Sequence, residues 1–200
     1  MSLKDKLLEQ TIVYSLWQAP FAAEKMAPIL KHNDLRRVRR VLDVGCGPGT
    51  NTQYFADSDY LGLDINPRYI DSARRKHNRA FIAADVTAYE DGSAGKFDFI
   101  LINSFLHHIS DADAHKVLSR LTEWLTPDGH LHVVELISPG DHSVAQLLAD
   151  WDRGNYCRRL EKWREMFEKH INIVMFEPYP VKLAGVTLWN FVYCKGAVNS

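Results

Sequence analysis

Val41 to Val44 is a short apolar run interrupted by one carboxylate, Asp43, and it leads directly into Gly45, Gly47 and Gly49. An apolar run of that length reads as a strand covered on both faces. Alternate glycines behind it put bare main chain at the strand's carboxyl end, where glycine permits tight turning and close approach of a ligand. In an open α/β sheet that end of the strand is where ligands sit. The rest of the sequence supplies such a sheet. Spacing predicts strands over 41–44, 60–64, 80–85, 97–103, 130–136, 171–177 and 186–195. Helices are predicted from Thr50, from Pro67 to about Lys76, from Ala112 to Leu125 with Pro127 and Gly129 as stops, and over most of 143–169. An N-terminal helical stretch over 3–30, with Leu7, Leu8, Ile12, Leu16 and Trp17 on one face, is broken near Pro20 and Pro28. Strands alternating with helices predict an α/β fold with a doubly wound, mainly parallel sheet of seven strands. The last two strands, punctuated only by Pro178, Pro180 and Gly185, form an antiparallel C-terminal hairpin.

The glycines do not fit a diphosphate. The dinucleotide fingerprint G-x-G-x-x-G needs its third glycine where Thr50 stands, and no Gly-Lys-Ser/Thr follows to make a P-loop. Asp43 beside the loop repels a diphosphate and suits a ligand that carries a positive charge. S-adenosylmethionine carries an ammonium and a sulfonium and no phosphate.

Several ordered segments resemble the class I S-adenosylmethionine-dependent methyltransferases, from about Val41 to Lys195. DVGCGPG matches the family's acidic-residue and glycine motif. Asp64 in LGLD stands at the end of strand two, and Asp85 in AADV follows strand three. FDFILINSFLHHIS resembles the strand-four segment with its LHH or LEH triplet, and LTPDGHLHVVE resembles the turn before strand five. The resemblance implies a Rossmann-like sheet and S-adenosyl-L-methionine as cofactor, in a small-molecule methyltransferase. It implies cofactor contacts at Asp43, Gly45, Cys46, Gly47 and Gly49. Asp64 is implied at the ribose hydroxyls, where a carboxylate accepts two hydrogen bonds from a diol. Asp85 is implied at the adenine amino group, with Ile65 and Val86 flanking the ring and Asn103 and Ser104 near the methionine end. Each acid also has a plain structural reading: Asp64 as a turn residue, Asp85 as a cap. Of the two histidines, His108 matches the triplet's regular position and is expected among the cofactor contacts, in a structural rather than a catalytic role. His107 is the candidate general base, with packing as its alternative. NSFL in place of Asn/Asp-Pro-Pro-Tyr/Phe argues against the adenine and glutamine amide methylases.

Acceptor choice in this family lies in the N-terminal helices and in the insertion after strand five, and both are aromatic here. Tyr14, Trp17 and Phe21 are expected as a lid, with Tyr14 at the cofactor and Trp17 at the acceptor. Within 149–167, Trp151, Arg153, Tyr156 and Arg158 are the expected acceptor contacts, since aromatic walls with arginines suit a small anionic molecule. The alternative for this stretch is a solvated amphipathic helix with internal ion pairs, or a contact between protein copies. The expected organisation is one domain over 1–200: a lid over 1–39, a cofactor-binding core over 40–136, an acceptor-side insertion over 137–170 and a closing hairpin over 171–200.

The totals agree with one globular domain. Hydrophobic residues make up 46% and charged residues 24% of the 200 positions. A net charge of −1 gives no global pull toward nucleic acid or an anionic membrane, although KHNDLRRVRR keeps an RNA or protein methyltransferase in play. A further alternative is a non-catalytic cofactor-binding module. Cys46, Cys157 and Cys194 have no CxxC or metal spacing, and TIVYSLW is too short to span a bilayer, so a cytoplasmic protein without a metal is expected.

Overall fold

The computed structural model describes residues 21–90, 96–140, 145, 148 and 156–199. Its elements are α1 (Ala22–His32), β1 (Arg40–Val44), β2 (Asp59–Asp64), α2 (Pro67–Lys76), β3 (Ala80–Ala83), β4 (Phe97–Asn103), α3 (Asp111–Trp124), β5 (Leu125–Ile137), α4 (Leu160–Glu168), β6 (Ile171–Leu183) and β7 (Val186–Val198). The strands form one seven-stranded sheet in the order β3-β2-β1-β4-β5-β7-β6. β1 to β5 run parallel, and β7 is antiparallel to both β5 and β6. Strand order reverses between β1 and β4, which creates a cleft at their carboxyl ends.

Period-2 alternation divides the core between the two faces. Leu42, Ile100, Ile102, Leu131 and Val133 meet α3 and α4 through Val117, Leu118, Leu121, Trp163 and Phe167. Val41, Phe99, Leu101 and Val134 meet α1 and α2 through Met26, Ile29, Ile70 and Ala73. Asp43 and Glu135, both fully buried, therefore lie on opposite faces of the sheet. The described part of the expected lid, α1, is built into the core rather than held above it.

Local rules explain most element ends. Asn66 caps α2, accepting from the Arg68 N–H at 3.0 Å, with Pro67 at the first helical position. Ser110 caps α3 through the Asp113 N–H at 3.2 Å.

Five expectations need correction. The helix expected from Thr50 is a single 3-10 turn, Thr50–Tyr54. α1 runs through Pro28, which packs into the core. β3 stops at Ala83 rather than 85. β5 starts at Leu125 rather than 130, and Pro127 and Gly129 lie where its pairing with β4 jumps from Phe97–Leu125 to Phe99–His130. Pro178 and Pro180 lie inside β6 rather than between strands. β6 is an edge strand paired only with β7, so its outer side needs no N–H donors. The hairpin turns instead at Ala184 and Gly185, with φ of 48° and 84°, the positive pair that a two-residue hairpin loop favours. Among the described residues no helix is long and apolar enough to cross a membrane.

Candidate active site

A pocket of about 580 Å³ opens at the carboxyl ends of β1, β2 and β4 and beyond β3. Six expected cofactor residues, Gly45, Asp64, Ile65, Asp85, Val86 and His108, line it. Its described wall carries three carboxylates, those of Asp64, Asp85 and Asp113, and no lysine or arginine. Such a wall disfavours a diphosphate by direct repulsion.

Backbone bonding from the carboxylates shapes the wall. Asp64 Oδ2 accepts from the Gly47 N–H at 2.9 Å and Oδ1 from the Asn66 N–H at 2.8 Å, so one side chain ties the glycine loop to the turn after β2. Each oxygen keeps a lone pair for a further donor. Asp85 Oδ1 accepts from Thr87 N and Oγ1, both at 2.8 Å, which closes the turn after β3. Ile65 is 69% exposed beside this wall, an apolar surface suited to a flat ring.

The three loop glycines do different jobs. Gly45, at φ 71°, lies against Phe105, whose side chain a Cβ there would meet at 3.0 Å. Gly49, at φ 82°, would strike His77 and Phe81 at 2.9 and 3.0 Å, so packing alone already requires a glycine there. Gly47, at φ 55°, has nothing within 4 Å of where a Cβ would stand. Cys46 is a buried filler whose thiol burial pushes far up, with the Asp43 and Asp64 charges adding to the rise.

Beneath the loop, Asp43 is fully buried and heads a chain of polar side chains. Tyr60 Oη donates to Asp43 Oδ2 at 2.6 Å, and Asn51 Nδ2 donates to the same oxygen at 3.1 Å. Asn103 Nδ2 donates to Asn51 Oδ1 at 3.4 Å, Ser104 Oγ to Asn103 Oδ1 at 3.3 Å, and Lys25 Nζ to Ser104 Oγ at 3.4 Å. Ser104 holds a left-handed φ of 59°, rare for a side-chain-bearing residue and found where a loop is held by its surroundings. Asp43 Oδ1 has no hydrogen-bond partner among the described residues. An orphaned, buried carboxylate oxygen fits a nearby cationic group, as the ammonium of S-adenosylmethionine would provide.

Burial pushes the Asp43 carboxyl up to about 7; the Asp64 charge adds to the rise, while Tyr60 and Asn51 oppose it. The native state therefore holds a proton that the unfolded chain releases at lower pH. Stability of the ligand-free protein falls as pH rises from the ordinary carboxylate range through about 7. In thermal unfolding at pH 5.5 and pH 8, Asp43→Asn gains on the wild type as pH rises; equal pH slopes would show that Asp43 is ionised throughout.

Two expected site residues, His107 and Arg158, are buried and engaged inside the protein. His107 is 1% exposed, with its ring Nδ1 2.6 Å from Glu135 Oε2, and it lies among packed side chains rather than on the pocket wall. A ring sealed in that way does not suit the general-base role expected of it. His108, expected to be structural, is exposed and lines the pocket. The two rings, on adjacent residues of the 3-10 turn Leu106–His108, touch with centroids 4.1 Å apart, so His107 lies directly behind His108. Arg158, expected at the acceptor, is 6% exposed. Its guanidinium donates to Asp111 Oδ1 at 2.8 Å and to the carbonyls of Leu106 and Ile109 at 2.9 and 3.0 Å, and it lies over Trp163. It braces the loop after β4. Tyr156 is 42% exposed beside that loop and donates its N–H to the His107 carbonyl at 3.1 Å. Tyr14, Trp17, Trp151 and Arg153 lie outside the described residues.

Sequence reasoning missed Lys25, Asn51, Tyr60 and Glu135. Glu135 Oε1 accepts from the Phe105 and Leu106 N–H groups at 2.9 and 2.6 Å, so one carboxylate holds the loop that carries Phe105 and His108 into the pocket.

Residues 41–129 match the methyltransferase domain family. An uncharacterised methyltransferase of Mycobacterium bovis is 33% identical over 129 residues, which cover 62% of this chain and 64% of that protein. A trans-aconitate 2-methyltransferase of Methylobacterium radiotolerans is 35% identical over 112 residues, covering 54% of this chain and 42% of the relative. The matches thus span less than two thirds of these curated relatives' own lengths. The N-methyltransferase NodS of Bradyrhizobium japonicum, solved with S-adenosyl-L-homocysteine, superposes with a TM-score of 0.71 at 17% identity, over 90% of this chain and 89% of that one. Residues 41–129 are thus similar in sequence to a methyltransferase domain, and the chain shares the fold of a methyltransferase solved with S-adenosyl-L-homocysteine.

Proposed function

We propose that the protein moves the methyl group of S-adenosyl-L-methionine to an oxygen or nitrogen of a small, anionic molecule. The observation that carries the cofactor half is the pocket at the strand-order reversal, walled by Asp64 and Asp85 with no lysine or arginine among its described residues. The acceptor half draws support from the similarity to a trans-aconitate methyltransferase, whose acceptor is a carboxylic acid.

Asp64 would take the ribose diol on its remaining lone pairs, Asp85 the adenine amino group, and Ile65 and Val86 the faces of the ring. Asp43, Asn103 and Ser104 would meet the methionine end. The bound cofactor supplies an already activated methyl on its sulfonium. The chain's own task is to align an acceptor atom in line with it and to exclude water. His107 is given no proton-transfer role here. An acceptor that arrives ionised needs no base.

An RNA or protein substrate gains no support from the basic stretch. Arg36, Arg39 and Arg40 pair with Asp34, Asp98 and Asp59, which offsets their charge locally. The test is incubation with methyl-labelled cofactor and a panel of small carboxylates, including trans-aconitate, with matched amides and amines. Label in the acids is expected. Label only in neutral amines would remove the anionic acceptor, and label only in added RNA or protein would replace the reading.

A further inference from the structure

The arginines expected to receive an anionic acceptor do not present themselves as a group: Arg158 is engaged by Asp111 and two carbonyls, and Arg164 lies over Phe176 with Glu168 beside it. A different cation stands at the carboxyl end of β4. Lys25, on α1, is 8% exposed. Its Nζ is 3.4 Å from Ser104 Oγ and 5.0 Å from the centre of the Phe191 ring, while Tyr179 Oη donates to its backbone carbonyl at 2.7 Å. The helix is thereby fixed against β6 and β7, and the ammonium is fixed at the loop that follows Asn103.

We propose that Lys25 is a specificity-determining residue whose ammonium receives the carboxylate of the methyl acceptor. The proposal rests on the small-anion reading above and names the group that would make that choice. Three observations support it. The ammonium is largely removed from water, where an ion pair gains strength because screening is weak. The aromatic face of Phe191 tolerates a cation and offers an anion nothing, which leaves the position of the charge well defined. The ammonium also stands at the far end of the side-chain chain that begins at Asp43. The expected cofactor cation would lie at one end of that chain and the acceptor anion at the other, with Asn51, Asn103 and Ser104 between. A lysine at this point acts as a point charge, so it selects for charge more than for planar shape.

The test pairs each small carboxylate of the panel, trans-aconitate included, with its neutral amide and compares wild type, Lys25→Met and Lys25→Arg. Methionine keeps the unbranched stem over Phe191, and the arginine variant keeps the charge should methionine impair folding. Calorimetry with S-adenosyl-L-homocysteine provides a readout independent of turnover. The expected result for Lys25→Met is a kcat/KM for acids lower by about 10- to 100-fold, carried mainly by KM, with a cofactor Kd within about twofold of wild type. The acid-over-amide preference collapses in that variant and is partly restored by Lys25→Arg. If Lys25→Met keeps the acid preference, Lys25 is not the anion's partner although the anionic acceptor stands. If cofactor affinity falls in step with turnover, Lys25 holds the carboxylate of the cofactor's own methionine end, and the proposal is overturned. If the wild type methylates no carboxylate, the anionic acceptor and the role of Lys25 fall together.

Discussion

Gly47→Val should abolish measurable cofactor binding while leaving a folded protein. The space beyond Gly47 is open for 4 Å around the Cβ position, although the loop on either side is packed, so a side chain there would leave the core undisturbed and project where the cofactor is expected. A branched side chain there would occupy the volume the cofactor needs. It would also have to adopt φ 55°, which β-branched residues strongly disfavour. The Gly47 N–H donates to Asp64 Oδ2, so a shift of the main chain would also move the expected ribose acid. Affinity for S-adenosyl-L-homocysteine should fall by about 100-fold or more, equivalent to roughly 3 kcal/mol. Circular dichroism should remain that of the wild type. Gly49→Ala is the control: its Cβ meets Phe81 and His77, so it should lower the melting temperature more than the affinity. Equal cofactor affinity in wild type and Gly47→Val would mean that the loop cups no ligand.

The largest loss of stability is expected at Glu135. Its carboxylate is fully buried, meets the His107 ring at 2.6 Å and accepts from two backbone N–H groups. Burial alone would raise its pKa, but His107 and the N–H groups of Leu106 and Phe105 outweigh burial and hold the carboxyl below its ordinary value. Glu135→Ala leaves the ring and both N–H groups without their acceptor inside the core. Removing one member of a buried pair costs about 3–5 kcal/mol, a large share of the ordinary stability of a domain. Melting by differential scanning calorimetry should fall by roughly 10 °C for a chain of this size. Glu135→Gln keeps one acceptor oxygen and should fall less. The lowered pKa gives the sign with pH: the stabilisation is present above the ordinary carboxylate range and is lost as pH falls through the lower native value. A melting temperature for Glu135→Ala within 2 °C of wild type would contradict this account of the loop.

What was legible in the sequence was whatever nearest neighbours determine. The glycine loop, Asp64 and Asp85 each sit at a strand's end, and strand ends show where apolar patterning stops. The central strands were visible because two-sided burial writes near-continuous apolar runs, whereas the edge strands β3 and β6 are only partly buried and showed through shorter apolar stretches. The polar chain from Asp43 to Lys25 was not visible, because every link except that between Asn103 and Ser104 joins residues 8 to 79 positions apart and no local pattern records them. Lys25 follows Glu24 on a helix and reads as an ordinary surface charge until the fold lays that face against β7. His107 and His108 are neighbours in a tight turn, and only the fold decides which one turns inward to Glu135. Arg158 was read as a ligand group because arginine on an aromatic stretch suits an anion. The structure uses that same chemistry internally, on Asp111 and Trp163. Pro178 and Pro180 were read as punctuation, but an edge strand accommodates proline on its unpaired side.

The central claim is that the loop after β1 and the carboxylates around it accept an adenosyl sulfonium and reject a diphosphate. The wild-type titration that anchors the Gly47 comparison tests it most directly when S-adenosyl-L-methionine, NADH and ATP are titrated in parallel. The account predicts saturable binding of S-adenosyl-L-methionine and no heat from the other two. Binding of NADH or ATP in a protein indifferent to S-adenosyl-L-methionine would contradict it.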